Sequence, residues 1–346
     1  MTDRLRRVLE SHFDPRHGTP YWLEREREVG IRARDEIRTM EDLSVFGPFP
    51  REALRTRPLE DFVPRWLWTG RSGLVLAETG GTTGRPVRTV FTPAEFEEAF
   101  GRPFLAASLE RGFPRGGNWL FVGPSGPHAI GQAARLLARL HRSLEPFSVD
   151  LDPRWARAQE PGSLGASVYL SHDIDQALDV VARETIDVLF TTPPLALALA
   201  GAMPEPTRHA IRGVHLGGMV LGGAAYAAIR KAFPQAIVLP GYGNSLFGIL
   251  VEAIPPGPDL HADYFPLPGR LVVRVVGEDG REVAPGEKGR VSITRLDESV
   301  LIVDHRERDV ATRIDGGPPV AALGLVPSGV RDPRPLAPDE AHRGIY

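Results

Sequence analysis

Cysteine is absent from the chain, which excludes disulfides, thiolate zinc sites and cysteine nucleophiles and points to a cytoplasmic protein without thiol redox chemistry. Lysine is nearly absent: only Lys231 and Lys288 are present, and arginine supplies the rest of the permanent positive charge. No segment approaches the roughly 18 consecutive apolar residues of a membrane span, and the charged N-terminal stretch lacks the apolar core of a secretory signal. One-sided charge is missing too. With 41 basic and 44 acidic residues and a formal net charge of -3, no global field draws the chain to nucleic acid or an anionic membrane, so any anion site must be local. The runs Glu24-Arg25-Glu26-Arg27-Glu28 and Arg32 to Arg38 mix both signs and read as solvated helix faces.

Turn-forming sequence is abundant instead. The 37 glycines and 33 prolines among 346 residues predict a loop-rich molecule of two or three packed subdomains. Residues 1 to about 65 read as helices broken by Pro-rich turns, with a packing role. Leu74-Val75-Leu76-Ala77 predicts a strand entering a Gly/Thr turn. Thr92-Pro93-Ala94-Glu95 predicts a helix start, because an N-cap threonine and a glutamate three positions on satisfy orphan helix N–H groups. Apolar runs at Trp119 to Val122, Ile186 to Phe190, Val214 to Leu216 and Ile237 to Leu239 each stop at a Gly- or Pro-containing turn, and helical spacing fills Ile130 to Leu140. Strands alternating with helices predict a mostly parallel α/β sheet, whose ligands collect beyond the strand C-termini. After about residue 255 the runs Leu271 to Val276 and Gly289 to Thr294 predict a small antiparallel unit. The Pro/Gly-rich tail from Gly316 reads as a loop packed on the body or a partly mobile end.

The strongest local signal is Thr79-Gly80-Gly81-Thr82-Thr83-Gly84-Arg85-Pro86. Glycines let backbone N–H groups converge on one anion, hydroxyls add donors and Arg85 adds charge, a combination suited to polyphosphate. A plain hairpin turn is the alternative, and the ordinary P-loop is excluded because no Gly-Lys-Ser/Thr follows. Ser125 does not lie in a Gly-x-Ser-x-Gly elbow. His12 and His17 miss the i, i+4 spacing of a helical ligand pair.

The loop resembles the phosphate loop of the adenylate-forming superfamily, Ser/Thr-Ser-Gly-Ser/Thr-Thr-Gly-x-Pro, and other segments resemble its phenylacetate-CoA ligase branch. In order, these are Thr19-Pro20-Tyr21-Trp22, Ile37 to Leu43, Gly241-Tyr242-Gly243-Asn244-Ser245, Leu260 to Phe265, Pro285 to Val291 and Arg306 to Val310, spanning about residues 19 to 315. The implied fold is α/β, the large N-terminal domain of an adenylate-forming ligase, with mostly parallel sheets flanked by helices plus a small antiparallel β subdomain. Its divisions would be an adenylation core at 1–255, a β-rich unit completing the nucleotide site at 256–315 and a tail at 316–346, the family's small C-terminal domain being absent.

Position by position, the resemblance implies that Thr79, Gly80, Gly81, Thr82, Thr83, Gly84 and Arg85 contact the phosphates. It places Gly217, Gly218, Met219, Tyr242, Gly243, Asn244 and Ser245 around adenine and Asp309 on the ribose hydroxyls. Arg85, Thr82 and His128 are the catalytic candidates, and Phe121, Ser125, His128 and Gly218 the acid-binding ones. His128 would bond the substrate or else satisfy a loop carbonyl; His261 enters at the pocket rim through the resemblance alone. Departures are present. The acidic residue that helps hold magnesium is replaced by Leu246, with Glu252 a distant substitute, and His305 and Glu307 occupy positions commonly held by tyrosine and threonine.

The implied function is adenylation of a carboxylic acid by ATP with Mg2+, giving an acyl-AMP and pyrophosphate, followed by transfer to an amine or hydroxyl. A small aromatic acid, a substituted benzoate or arylacetate, leads over a fatty acid. The acceptor is left open among small amines and hydroxyls, a carrier protein and CoA, and a homodimer is entertained. The competing readings are an acyl-CoA ligase completed by a separate small domain and a degenerate nucleotide- or acyl-binding protein.

Overall fold

The structure, a computed structural model, describes residues 3–71, 73–79, 86–160, 162–252 and 254–336. A two-stranded ribbon, β1 (Val75–Glu78) and β2 (Arg88–Phe91), precedes the main sheet. That sheet contains β3 (Trp119–Gly123), β4 (Phe147–Asp150), β5 (Val188–Thr191), β6 (Gly213–Leu216), β7 (Ile237–Asn244) and β8 (Gly248–Val251), in the order β4-β3-β5-β6-β7-β8. All neighbours are parallel except β7 and β8. Its strands are apolar at consecutive positions because helices cover both faces. Leu120, Val122, Leu189, Val214 and Leu216 enter one core, while Trp119, Phe121, Val188, Phe190 and Leu239 enter another on the opposite face.

A second, antiparallel sheet has the order β10-β11-β12-β13-β9, from β9 (Asp263–Tyr264), β10 (Leu271–Val276), β11 (Lys288–Leu296), β12 (Leu301–Asp315) and β13 (Ser328–Pro335). The N-terminal helices pack on it: Phe13, Trp22 and Phe46 share a core with Val291, Ile293 and Ile302, and the Trp22 indole N–H donates to the Leu301 carbonyl at 3.1 Å. The helix start expected at Thr92 is present with its reciprocal capping box to Glu95.

Two expectations are corrected. The run at Ile237 does not stop at Gly241; β7 continues to Asn244, because β8 supplies a hydrogen-bonding partner from Gly241↔Val251 to Asn244↔Gly248. Nor is the tail only a loop. Gly317–Ala322 is helical, and β13 pairs along β12 while Arg331 grips Asp263 of β9 through two bonds of 2.6 Å.

Candidate functional site

Three segments distant in sequence meet at Glu78, the last residue of β1. Its backbone N–H donates to Pro127 at 2.8 Å, and its carbonyl accepts from the Ser245 hydroxyl at 2.9 Å. The next residue, Thr79, donates its N–H to Val87 and accepts the Val87 N–H on its hydroxyl, both at 2.9 Å. Antiparallel pairing thus closes the neck of the Gly/Thr loop. Gly80, Gly81, Thr82, Thr83, Gly84 and Arg85 lie outside the described residues. Glu78 itself is 4% exposed and receives Arg88 Nε at 2.9 Å.

Beside this neck a cavity of about 280 Å³ opens at the C-terminal side of the parallel strands, where ligands of such sheets collect. Its polar end is lined by Arg51, Asn244, Glu307 and Asp309. Tyr242 donates its hydroxyl to Asp309 at 2.8 Å, orienting the carboxylate. Asn244 is fixed from both sides: its amide donates to Glu307 at 3.1 Å, and its carbonyl oxygen accepts the Leu246 N–H at 2.8 Å. Arg51 reaches Glu307 at 3.5 Å. Gly217 and Gly218 line the wall after β6, with Gly218 at φ 80°, a left-handed conformation that favours glycine.

The other end is apolar, formed by Phe100, Ala133, Leu137, Phe190 and Ile249, with two histidines. His128 is 4% exposed, and both of its ring nitrogens are buried without a hydrogen-bond partner. Burial lowers its pKa against the opposing pull of the Glu78 backbone carbonyl and carboxylate, so the ring is held neutral. His215, in the middle of β6, is 3% exposed, and its Nδ1 lies 2.6 Å from the Leu239 carbonyl oxygen. Burial pushes its pKa down to about 4.

Among the sequence-predicted residues, Thr79, His128, Gly217, Gly218, Gly243, Asn244, Ser245 and Asp309 line this one cavity. Tyr242 stands behind it, its ring near Tyr264 and Phe247. Met219 is half-buried beyond the lining. Phe121 is in the core against Phe190 rather than on the cavity wall, because its position in β3 faces the covering helices. Ser125 is also away from the wall: its hydroxyl and N–H both bond Asp150, at 2.7 and 2.8 Å. His261 bonds Asp332 at 2.5 Å. His12 is a buried tie between Thr19 and the Asp297 carbonyl. Residues that sequence reasoning missed are Arg51, Arg55, Phe100 and His215. No local pattern marks them.

Leu246 is 3% exposed in the apolar core and offers no oxygen. Glu252 is not a substitute, for it is fully buried and held by Tyr226 at 2.7 Å and Arg111 at 3.2 Å. Among the described residues no group of three metal-ligating side chains forms. Magnesium needs no such cage when phosphates supply most of its oxygens. Glu78, beside the loop neck, has its carboxylate engaged by Arg88 at 2.9 Å.

No family profile and no curated protein sequence matches the chain. Solved structures do. The open conformation of 2-hydroxyisobutyryl-CoA ligase in complex with 2-HIB-AMP and CoA matches with TM-score 0.68 at 16% identity, over 95% of this chain and 72% of that one. The same ligase in its postadenylation state with 2-HIB-AMP gives 0.67 at 17% identity, over 94% of this chain and 64% of that one. The fold is therefore that of the N-terminal domain of an adenylate-forming ligase, and the chain spans roughly two-thirds of these neighbours.

Proposed function

We propose that the chain uses ATP to adenylate a carboxylic acid, with an aromatic acid as the leading substrate. The observation that supports this most is the union of two chemistries in one cavity: a carboxylate-bearing polar end at Asp309, and an apolar end holding the unpartnered, buried His128, both beside the neck of a Gly/Thr loop. One carboxylate accepts hydrogen bonds from two ribose hydroxyls, which suits Asp309 already aimed by Tyr242. Neutral His128 donates one N–H to the acid's carboxylate. A carboxylate oxygen then attacks the α-phosphorus, the bond to pyrophosphate breaks, and the acyl-AMP anhydride forms. Thr82, Thr83 and Arg85, with the loop's N–H groups, would stabilise charge spreading over the phosphate oxygens. Magnesium, held through the phosphates, would supply screening of that charge.

Acyl transfer to a small amine or hydroxyl is the proposed second step. Purified chain with ATP, Mg2+ and a panel of benzoates and arylacetates is expected to release pyrophosphate only with the right acid, and to give a hydroxamate with hydroxylamine. Nucleotide binding without acid-dependent release would overturn the reading in favour of a binding protein. The open-conformation neighbour's complex contains CoA, so adding CoA distinguishes a ligase that makes thioester from one that does not.

A further inference from the structure

His215 carries chemistry that the adenylation step does not use. Its neighbours on β6, Val214 and Leu216, face the opposite core, so alternation turns the imidazole toward the cavity. There it sits between aromatic rings, 4.3 Å from Phe190 and 4.5 Å from Phe104 between ring centroids. The Leu239 carbonyl can only accept, so the 2.6 Å contact fixes the proton on Nδ1. Burial holds the ring neutral. Nε2 is then left as a lone-pair acceptor with no hydrogen bond among the described residues, on a ring that lines the cavity together with Phe100, Leu137 and Ile249. A carboxylate could not be the group bound there, since two acceptors do not pair.

We propose that His215 Nε2 selects an acid bearing a hydroxyl or amino N–H/O–H donor on its apolar body, remote from the carboxylate: a hydroxy- or amino-substituted aromatic acid. This deepens the adenylation reading and rests on it. A substrate without the donor leaves a buried acceptor desolvated and unpaired, which costs about tenfold to a hundredfold, or about 1.4–2.8 kcal/mol. The site uses a neutral histidine rather than a carboxylate, so it rewards the donor without demanding a cation.

The test compares matched acids on the full chain: each hydroxybenzoate and aminobenzoate isomer against benzoate and the corresponding methylbenzoate, scored by acid-dependent pyrophosphate release and by binding titration. The expected result is that at least one donor-bearing isomer exceeds its methyl partner about tenfold to a hundredfold in kcat/KM or Kd. His215→Phe keeps a flat ring in the aromatic cluster and is expected to collapse that ratio. His215→Gln, which keeps an acceptor, is expected to restore part of it. Equal use of donor-bearing and methyl acids by the wild-type chain would overturn the proposal while leaving adenylation standing, as would a folded His215→Phe variant with the wild-type ratio. If no acid releases pyrophosphate, adenylation itself fails, and the binding titrations still decide His215: a donor preference supports it and none rejects it.

Discussion

Arg295 is fully buried, and its guanidinium ties together parts of the chain far apart in sequence. Nε donates to Asp297 at 2.6 Å, Nη1 to Thr89 and the Leu246 carbonyl at 2.8 Å each, and Nη2 to the Val90 carbonyl at 2.7 Å. One planar fork thus joins the ribbon that carries the Gly/Thr loop, the turn after Asn244 and the antiparallel sheet. Arg295→Met strands these acceptors and is expected to cost about 3–5 kcal/mol, read from the urea midpoint. Lysine should rescue little, because a single ammonium cannot span the same directions. At the cavity, Asp309→Ala is expected to raise the KM for ATP about tenfold to a hundredfold by leaving ribose hydroxyls unpaired. An unchanged KM in a folded variant would remove the ribose assignment.

At the scale of elements, the β7–β8 hairpin places Asn244 and Tyr242 at the site, and its close approach depends on glycine. A Cβ added at Gly243 would lie 1.9 Å from the Gly248 carbonyl oxygen. Gly243→Ala must therefore open the hairpin, and a marked fall in melting temperature together with weaker nucleotide binding is expected. Gly201, in the helix Pro193–Ala202, meets nothing within 4 Å. Gly201→Ala should stabilise by about 0.5–1 kcal/mol through helix propensity. If both variants melt alike, steric closeness is not what limits position 243.

For the whole molecule, buried titratable groups set the pH range of stability. His12 and His215 are pushed by burial from 6.5 to about 4. The unfolded chain then takes up protons before the folded one does, so their stability is complete above pH 6.5 and is lost as pH falls through 4. The difference amounts to about 3 kcal/mol per histidine. Glu252 has the opposite sign: burial raises it from 4.5 to about 7, so its contribution is present below 4.5 and lost as pH rises through 7. Urea midpoints from pH 4 to 8 should fall at both ends. His12→Gln should flatten the acid limb and Glu252→Gln the other; a variant with the wild-type profile would clear that residue of its part.

The sequence alone determined the features whose hydrogen bonds close locally. The Thr92–Glu95 cap, the ribbon around the Gly/Thr loop and the apolar strands of a two-sided sheet follow from neighbours a few residues apart. So did the cluster at Asn244 and Asp309, because ordered motif resemblance carries information that propensity does not. The tertiary structure decided the rest. Gly241 to Asn244 became strand because β8 offers a ladder, and 328–335 became strand because β12 and β9 leave a place between them. Arg51 and His215 reached the cavity only when the N-terminal helices and β6 were packed around it. Side-chain direction on a strand is set by which face its neighbours bury, and that choice belongs to the assembled sheet.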